Sequence, residues 1–469
     1  MTGSTMSGSI VSRRLSRRRF VAQAGGLAAG AALVGSYTGP WFHRAGAQES
    51  SGFTREASIT SWGFGAEETN PMAFSRIDAF RQAYPNIQLE LVPEFDDQKL
   101  LTAFASEQLP DLLWMDRFQI ASWASRGVLA PLDDMIAAAG IDTSKYYPAA
   151  LDEVTYEGKI YAVPQFIDVR ALYVNLDALA EAGVDPATLD TSNWDQLSQL
   201  GAQLVKANGD QVERWGFDHK MQADHLWLWG EGNGGKFMNE DATEATFDDP
   251  KVVEALAWGK TAYDNQGGFQ NYEAFATTWQ GDEQFARAQV AMTVYEHWML
   301  GILARVAPEL NFQVFPIQAK GTQGQYVSFA GGPAWTIPNG AKDPEAAFEF
   351  IKFMDSIDTW RAGATGVKSF QEENGRPYTP TLTAVDEVNQ MQINEFYQPL
   401  GGALDAAVQL FPQILEQSFI RPVSKSPAGK QLQDILKQDG IMPALRGERS
   451  PEDALKNADE EAQSAIDAL

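Results

Sequence analysis

The chain has 469 residues, more than one ordinary hydrophobic core holds and enough for two α/β domains. Hydrophobic residues make up 44% and charged residues 21%, which is typical of a globular protein and excludes a disordered or fibrous chain. The net charge of -26 argues against nucleic acid or an anionic membrane as a partner, and the absence of cysteine excludes disulfides, thiolate nucleophiles and cysteine-ligated metals.

The amino-terminal segment has the three parts of an export signal. "SRRLSRRRF" is basic, "VAQAGGLAAGAALVG" is weakly apolar, and "AGA" at 45–47 is an A-x-A cleavage site. Residues 16–21 resemble the twin-arginine export motif. We therefore predict a twin-arginine signal peptide over 1–47 and a soluble, periplasmic or extracellular mature chain. A disordered basic tail is one alternative, and a retained membrane helix is disfavoured because glycines interrupt the apolar run.

The next hundred residues predict strands that alternate with helices. "ASITSW" (57–62) and "IQLELV" (87–92) alternate apolar and polar residues, as strands do. Between them, "MAFSRIDAFRQAY" (72–84) has helical spacing, and we expect its buried face to comprise Phe74, Ile77 and Phe80. "LPDLLWMD" (109–116) reads as a buried parallel strand, and "GVLAPLDDMIAAAG" (127–140) as a turn and a helix. This order predicts a parallel sheet covered by helices.

The middle of the chain holds a predicted domain crossing. Residues 156–183 contain two strand-like runs with no helix between them, so these strands cannot be parallel neighbours in one sheet. A crossing from one domain to another explains this, and a bent antiparallel pair is the alternative. Residues 184–310 read as largely helical and rich in tryptophan, and 400–469 as helices. Residues 331–356 predict a strand, a turn and a helix with Asp343 as its N-cap. The buried face of that helix is expected to comprise Ala347, Phe350, Ile351 and Met354.

Eight segments, in order, resemble the family 1 extracellular solute-binding proteins, which are the sugar-binding components of bacterial ABC importers and include maltose-binding-protein-like members. The segments are "FRQAYPNIQLELV", "LPDLLWMD", "GVLAPLDDMI", "YEGKIYAVPQF", "ALYVNLDALAEAGVDP", "NWDQL", "AQVAMTVYEHW" and "GGPAWTIPNGAKDPEAAFEFIKFM". The resemblance implies a two-lobed α/β fold of the periplasmic-binding-protein type II class, with a ligand cleft between lobes that hinge segments join. The implied lobes are 48–166 with 330–368, and 167–329 with 369–469, with crossings near 164–171, 326–332 and 365–378.

The same resemblance implies the function. The protein would bind a mono- or oligosaccharide in the cleft and deliver it to an ABC transporter membrane permease. It would be a monomer without enzymatic activity, cofactor, metal or nucleic-acid partner. The ligand side chains would combine aromatic rings for the C–H faces of a sugar with polar groups for its hydroxyls, at the carboxyl ends of strands.

Five of the implied ligand residues follow the first and third predicted strands. Trp62, Gly63 and Phe64 follow the first strand, where the alternative is a place in the core. Asp116 and Arg117 follow "PDLLWM" and resemble the Asp–Arg pair with which maltose-type members bind sugar hydroxyls; bidentate donors and acceptors suit vicinal diols. A structural ion pair is the alternative reading of these two residues.

Further implied ligand residues lie at the crossing and in the tryptophan-rich region. Gln165 and Asp168 belong to the crossing segment, where Asp168 is either a ligand carboxylate or a hinge hydrogen-bond acceptor. His225 and Trp227 lie in "ADHLWLWGEGNGG", where one of the two tryptophans is expected in the core. Trp279 is a further candidate.

The stretch "AMTVYEHW" (291–298) resembles the strand-to-helix turn at which maltose-type members place a sugar-stacking tryptophan. Trp298 falls at that place, and Tyr295, Glu296 and His297 would then line the cleft. In "FAGGPAW", Gly331 and Gly332 would let backbone N–H groups approach the ligand because they carry no side chain.

Four other classes of protein are alternatives to this one. A polyamine-binding protein of the same fold would suit the acids Asp116, Asp168 and Glu296, and the same carboxylates leave a secreted glycoside hydrolase possible. A zinc hydrolase is disfavoured because there is no H-E-x-x-H, and His219 and the other histidines lack a ligand spacing. A serine hydrolase is disfavoured because no G-x-S-x-G follows residue 47.

Overall fold

The computed structural model of the protein describes residues 53–209, 211–223, 225–277 and 281–469, all within the unit Ser50–Leu469. The predicted signal peptide over 1–47 lies outside the described residues. The strands are β1 Ala57–Trp62, β2 Ile87–Val92, β3 Leu112–Asp116, β4 Thr155–Tyr156, β5 Lys159–Ile160, β6 Ala162–Pro164, β7 Arg170–Asn175, β8 Lys206–Asn208, β9 Gln211–Asp218, β10 Val290–Glu296, β11 Phe312–Phe315 and β12 Pro333–Thr336.

The helices are α1 Pro71–Ala83, α2 Asp97–Ala105, α3 Ile120–Ser125, α4 Asp133–Ala139, α5 Pro148–Asp152, α6 Leu176–Glu181, α7 Trp194–Leu204, α8 Leu226–Gly232, α9 Pro250–Asp264, α10 Phe269–Ala276, α11 Gly281–Ala286, α12 Met299–Val306, α13 Pro344–Asp355, α14 Ile357–Glu373, α15 Asp386–Met391, α16 Ala403–Glu416, α17 Gly429–Ile435, α18 Met442–Leu445 and α19 Pro451–Asp467. None of the helices in the described residues combines the length and the apolar composition that a membrane crossing requires.

The first sheet has five strands in the order β2-β1-β3-β12-β6. Strands β2, β1 and β3 are parallel, as predicted, with Ala57 opposite Ile87 and Ser61 opposite Leu112. Strand β12 is antiparallel to both β3 and β6, so the complete sheet is mixed, beyond the parallel strands that the first hundred residues predict. The antiparallel strand enters from a distant part of the chain, and the local β-α-β pattern carries no information about it.

The second sheet has five strands in the order β11-β7-β10-β9-β8. Its central strands β9 and β10 are parallel, whereas β7 is antiparallel to both β10 and β11. Strands β8 and β9 form a hairpin inside the region that was read as largely helical, and that reading is therefore corrected. Asn208 pairs with Gln211, and Gly209, whose φ is 61°, begins the turn between the two strands.

Helices α1 and α13 pack against each other beside the first sheet. Asn70 caps α1 by accepting a hydrogen bond from the backbone N–H of Ala73 at 3.3 Å. Ile77 and Phe80 of this helix are buried, and the ring of Phe80 packs edge-on against Phe350 of α13 at 4.9 Å. Phe74 was expected on the same face, but it is 41% exposed because it lies toward the solvent side of the helix.

Helix α13 follows the prediction closely. Its N-cap is Asp343, whose carboxylate accepts from the N–H of Ala346 at 3.1 Å, and Pro344 is the first helical residue. The predicted inward face is fully buried; it comprises Ala347, Phe350, Ile351 and Met354. The helical period therefore identified the correct face where an unambiguous cap fixed the start of the helix.

The chain passes from one sheet to the other between β6 and β7. The strands that end at Pro164 and begin at Arg170 belong to different sheets, so they do not form the bent antiparallel pair, and this passage lies where the sequence predicts a domain crossing. A second passage joins β11 to β12. The implied third crossing near 365–378 overlaps α14, which continues to Glu373 and packs against α1. The proposed boundary after residue 368 thus falls inside a helix.

Candidate functional site

The parallel pair β9 and β10 brings two loops to one edge of the second sheet. Val290 lies opposite Trp215 and Thr293 opposite Asp218, so both strands end side by side. A cavity of about 270 Å³ lies at this edge. Ligands in α/β proteins bind at the carboxyl ends of parallel strands, and we therefore take this cavity as the candidate site. Its lining comprises Arg170, Lys220, Ala223, His225, Trp227, Val294, Tyr295, Glu296, Phe329, Arg421 and Gln433.

A second, wider cavity of about 640 Å³ shares the side chains of Lys220 and Tyr295 with the first, so the two cavities adjoin. The other residues that line it are Tyr272, Ala276, Thr277, Gly281, Glu283 and Gln284. The polar groups of these other residues include hydroxyl, amide and carboxylate oxygens, which can bind the hydroxyl groups of a ligand. Trp279, a predicted ligand residue, lies outside the described residues.

Arg170 connects two predicted acids at the wall of the cavity. It lies directly opposite Glu296 in the β7–β10 ladder, and its Nη2 is 3.1 Å from Glu296 Oε1. Its Nη1 is 2.5 Å from Asp168 Oδ1, and its guanidinium covers the ring of Phe329 at 3.9 Å. Burial opposes ionisation of Asp168, but the charges around it, of which Arg170 contributes most, together lower the pKa of this carboxyl.

Arg421 joins the same wall to the first sheet. Its guanidinium binds both carboxylate oxygens of Asp116, at 3.0 and 2.5 Å, and its Nε lies 2.8 Å from Glu153 Oε1. Desolvation opposes the charge of Asp116, but the charge and hydrogen bonds of Arg421, together with the N–H of Phe118 and the charge of Arg117, lower the pKa of Asp116. Asp116 also accepts from the N–H of Phe118 at 3.0 Å and thereby caps the turn after β3.

Lys220 follows the end of β9 and is held by Asp218. The carboxylate accepts from the backbone N–H of Lys220 at 3.1 Å, and its other oxygen lies 2.7 Å from Nζ. The Lys220 backbone has a φ of 59°, the left-handed region that side-chain-bearing residues rarely adopt. Nζ lies 5.3 Å from the centroid of the Tyr295 ring. Strained backbone conformations of this kind concentrate at functional sites.

His225 and Trp227 form the floor on the α8 side. His225 is buried, its Nδ1 lies 2.8 Å from the carbonyl of Ala223, and its ring packs edge-on against Phe329. Burial and the nearby Arg170 lower the pKa of His225 to about 3, so the ring is neutral at physiological pH. Trp227 is also buried and packs against Phe237 at 4.6 Å.

The geometry can be compared with known proteins. A family model described as "Bacterial extracellular solute-binding protein" matches residues 71–357, which is more than half of the chain. The chain belongs to this family.

Relatives of this solute-binding protein are recognisable over much of its length. The arabinooligosaccharide-binding protein of Bacillus subtilis is 23% identical over 322 residues, which cover 66% of this chain and 71% of the relative. The diacetylchitobiose binding protein DasA of Streptomyces coelicolor is 26% identical over 288 residues, which cover 58% of this chain and 62% of the relative.

Solved structures establish the fold of the solute-binding protein. The structure of CpMnBP1 with mannobiose bound superposes with a TM-score of 0.70 at 24% identity and covers 87% of this chain and 100% of that one. The GacH receptor of Streptomyces glaucescens, solved unliganded and with acarbose, superposes with a TM-score of 0.68 at 21% identity and covers 88% and 99%. The predicted two-lobed type II binding-protein fold is confirmed.

Arg117 does not line the cavity, in contrast to the prediction. Its side chain is fully buried, with Nε 3.2 Å from Glu153 Oε2 and its two Nη atoms donating to the carbonyls of Phe166 and Gly331 at 2.6 and 2.7 Å. Both terminal nitrogens of the guanidinium are therefore engaged, and they link the crossing segment that contains Phe166 to the one that contains Gly331. Arg117 thus forms a structural ion pair, as in the alternative interpretation, but its partner is Glu153 and not Asp116.

The two glycines of "AGGPA" are structural in this solute-binding protein. The N–H of Gly331 donates to the carbonyl and the carboxylate of Asp168, each at 3.1 Å, so it does not face a ligand. Gly332 has a φ of 130°, and a Cβ there would lie 2.4 Å from the carbonyl oxygen of Phe166. The expectation that both N–H groups approach a ligand is corrected for Gly331, because Asp168 occupies that donor.

Gln165 and His297 also point away from the cavity. Gln165 is buried between Arg76, whose Nη2 lies 2.6 Å from its Oε1, and Asp355, whose Oδ1 lies 3.3 Å from its Nε2. His297 Nε2 accepts from the N–H of Leu382 at 3.2 Å. Burial lowers the pKa of His297 to about 4. Both side chains therefore support the crossing segments rather than the site.

The residues at the end of β1 and in the loop after it do not line this cavity. They lie in the core or at the surface of the first sheet. Phe64 is buried between Trp114 and Trp335, with ring centroids 5.0 Å from each, as the alternative reading had it. Gly63 has a φ of 91° and passes close to the carbonyl of Trp114, which leaves no space for a side chain. Trp62 is half-buried, and the ammonium of Lys99 lies 4.2 Å from its ring centroid.

Trp298 lies beside the cavity without lining it. It is 43% exposed, and its ring packs edge-on against Tyr295 at 5.2 Å. The structure thus brings together His225, Trp227, Tyr295 and Glu296 at the cavity, with Asp116 and Asp168 bound to its arginines.

The cations of the cavity were missed by sequence reasoning. Arg170 lies two residues after Asp168, so strand alternation places both on one face, and this signal was available. Lys220 follows β9, a strand that was not recognised. Arg421, in "FIRPVS", has no local signal because its partners lie about three hundred residues earlier. In the described part of the chain, no group of three or more His, Asp or Glu side chains is arranged to hold a metal ion.

Proposed function

We propose that this solute-binding protein binds a mono- or oligosaccharide in the cleft between its lobes. The relatives named above carry the names of oligosaccharide-binding proteins, and their names motivate the ligand class. The observation that carries the proposal is the lining of the candidate cavity. Aromatic rings of Trp227, Tyr295 and Phe329 stand there beside the polar ends of Arg170 and Glu296. Rings suit the C–H faces of a sugar, and charged donors and acceptors suit its hydroxyls.

The bound sugar would be handed to an ABC permease by a monomeric protein that closes around it. The proposed lobes follow the two sheets, and the chain passes between them after Pro164 and after Phe315. A ligand that contacts both lobes only in the closed conformation shifts the population of the protein toward that conformation. The ion pair of Arg421 with Asp116, which ties the cavity wall to the first sheet, would lie within this moving contact.

A role in binding, not catalysis, is favoured by the state of the acids. A glycoside hydrolase needs one carboxyl with a raised pKa to act as general acid. Arginines bind Asp116 and Asp168, and after the opposing effect of burial the net result is a lowered pKa at both. These acids therefore stay ionised and serve as acceptors.

A polyamine ligand is disfavoured by the charge of the cavity. Arg170, Lys220 and Arg421 line it, and they would repel an ammonium group. The acids that suggested a polyamine from sequence are bound to these cations.

Export through the twin-arginine route would place the protein outside the cytoplasm. The motif is Ser16 to Val21, with Arg17 and Arg18 as the paired arginines. Replacement of both arginines by lysine is expected to retain the precursor in the cytoplasm, which fractionation and immunoblotting would detect. Normal export of that variant would contradict the proposed route.

The ligand class is tested by titration of purified 48–469 with mono- and oligosaccharides while intrinsic tryptophan fluorescence is recorded. Saturable binding of a sugar that is recovered uncleaved supports the proposal. A response to putrescine or spermidine alone would contradict the ligand class, and recovery of cleaved sugar would contradict the absence of catalysis.

A further inference from the structure

The candidate cavity and the wider cavity beside it adjoin at two side chains. The first has a volume of about 270 Å³ and the second about 640 Å³, and Lys220 and Tyr295 line both. These two residues therefore lie at the junction of the cavities. A monosaccharide in the first cavity would leave the wider one to water, whereas two linked sugar rings would extend past Tyr295 and occupy both.

The cations of the first cavity are already paired within the protein. Each of the three binds at least one carboxylate, so none of them offers an unpaired charge to an acidic ligand. A neutral sugar can bind beside such pairs through hydrogen bonds without breaking any of them. The pairs are Arg170 with Asp168 and Glu296, Lys220 with Asp218, and Arg421 with Asp116 and Glu153.

The wider cavity contains a buried amide without a partner. Gln284 lines this cavity and is 2% exposed, and among the residues that the structure describes its Nε2 has no hydrogen-bond acceptor. Its helix, α11, begins at Gly281, where a Cβ would lie 2.6 Å from Lys220 Nζ and 3.1 Å from Tyr295 Cε2. The helix therefore approaches the junction of the cavities closely. Buried donors without acceptors are uncommon in proteins, and an oxygen of a ligand would satisfy this one.

The first cavity contains a corresponding donor. Trp227 lines it and is 1% exposed, and its indole N–H has no acceptor in the described part of the chain. An indole N–H can only donate, so a ligand must supply an oxygen to satisfy it. Glu296 in the first cavity and Glu283 in the wider one carry acceptors for hydroxyl protons. Each cavity thus combines one buried N–H donor with a carboxylate acceptor, a combination that suits the hydroxyl groups of one sugar unit.

We propose, on the basis of the sugar-binding function proposed above, that the ligand is a neutral oligosaccharide of at least two units, one in each cavity, and that Gln284 determines specificity by binding the second unit. The ring of Tyr295 lies beside the linkage between the units, because it lines both cavities. An aromatic ring suits the C–H groups of a sugar there. Gln284 donates from Nε2 to an oxygen of the second unit, which a monosaccharide in the first cavity does not supply.

The test compares each monosaccharide with its own disaccharide on purified 48–469 by calorimetry. Galactose is paired with galactobiose, mannose with mannobiose, arabinose with arabinobiose, and glucose with both maltose and cellobiose. The expected result is that at least one disaccharide binds about tenfold or more tightly than its monosaccharide. Added NaCl is expected to change this affinity little, because binding of a neutral sugar forms no new charge pair.

Replacement of the unpaired amide locates the second unit. Gln284→Leu removes the donor and is expected to weaken disaccharide binding about three- to tenfold and monosaccharide binding less than about twofold. Because Nε2 has no partner to lose, the ligand-free variant should unfold at the same temperature as the unmodified protein or at a higher one. Gln413→Leu, on the exposed side of α16, is the control for the substitution and should change neither affinity.

The outcomes separate the two proposals. A monosaccharide that binds the unmodified protein as tightly as every disaccharide overturns the two-unit ligand and leaves sugar binding intact. Equal weakening of both ligands in Gln284→Leu, or a lower unfolding temperature of that variant, gives the amide a structural role and overturns its place in the site. Disaccharide binding that added NaCl weakens strongly overturns the neutral character of the contact. Failure of the folded unmodified protein to bind any sugar overturns the proposed function itself.

Discussion

Arg421 binds Asp116 with both ends of its guanidinium, Nη1 lying 3.0 Å from Oδ2 and Nη2 2.5 Å from Oδ1. Asp116 ends β3 in the first sheet, whereas Arg421 lines the cavity at the edge of the second. Behind them, Glu153 binds Arg421 and Arg117 at once. One buried acid thus anchors two arginines, of which the first faces the cavity and the second clamps the crossing segments.

Weakening this contact is expected to open the ligand-free protein. Asp116→Asn keeps an oxygen that can accept from the N–H of Phe118 but removes the charge that Arg421 holds. Small-angle scattering should then show a larger radius of gyration without ligand and an unchanged one at saturation. Asp358→Asn, which breaks an exposed pair with Arg361, is the control. Identical scattering of Asp116→Asn and the unmodified protein would show that the pair does not restrain the lobes.

Local patterns predicted the elements that local forces determine. The helix after Asp343 has its N-cap, its first-turn proline and its buried face in one short segment. The capping signal and the helical spacing of apolar residues therefore predicted the same helix. The crossing after Pro164 was predictable because two adjacent strands without a helix cannot be parallel neighbours. Strand β9 was missed because Val212 alternates to the opposite face from Trp215 and Phe217, so its apolar residues follow no single two-residue period.

The cavity was only half predictable, because its charge arises from distant pairings. Tyr295 and Glu296 follow from the resemblance of one segment. Arg421 meets Asp116 only when the carboxyl-terminal region folds back on β3, and nothing in its own sequence neighbourhood indicates this. Conversely, Arg117 was placed in the site by its motif, whereas its buried bonds to two carbonyls depend on segments far along the chain.

Asp355 is expected to make stability fall as the pH rises. Burial raises its pKa from an ordinary 3.8 to about 6, although Tyr146 donates to Oδ2 at 2.7 Å. Because the folded-state pKa is the higher one, the stabilising contribution is complete below pH 4 and is lost as the pH rises through about 6. Asp355→Asn should remove this loss, worth about 1–3 kcal/mol at pH 7. Urea unfolding at pH 4 and pH 7 measures it, and equal pH slopes in the two proteins would contradict the prediction.

Arg117→Lys is expected to destabilise the fold by about 3–5 kcal/mol, because it breaks a buried ion pair and the fork that binds two carbonyls. The ammonium can reach Glu153 or a carbonyl, but not Phe166 and Gly331 as well. Urea unfolding gives the change. A loss of affinity at unchanged stability would instead return Arg117 to the ligand site.

Gly332→Ala is expected to cost about 3 kcal/mol or more of stability, because φ is 130° and the new Cβ would meet the carbonyl of Phe166 at 2.4 Å. Gly321→Ala is the matched control: φ there is 69° and nothing lies within 4 Å of a Cβ. The control should cost only about 1–2 kcal/mol, the ordinary penalty of a left-handed residue. Equal losses of stability in the two variants would show that the close approach at Gly332 is relaxed.

Trp298→Ala tests whether the exposed tryptophan beside the cavity takes part in binding. The side chain is 43% exposed and contacts Tyr295 edge-on at 5.2 Å, so its removal should change the free energy of unfolding by less than about 1 kcal/mol. If it covers a sugar when the lobes close, its loss should weaken binding by about 1–3 kcal/mol. Phe74→Ala is the control, since Phe74 is 41% exposed on α1 and lines neither cavity. Calorimetric titration of both variants with the same sugar decides the matter: an unchanged affinity in Trp298→Ala would confine the aromatic contacts of the ligand to Trp227, Tyr295 and Phe329.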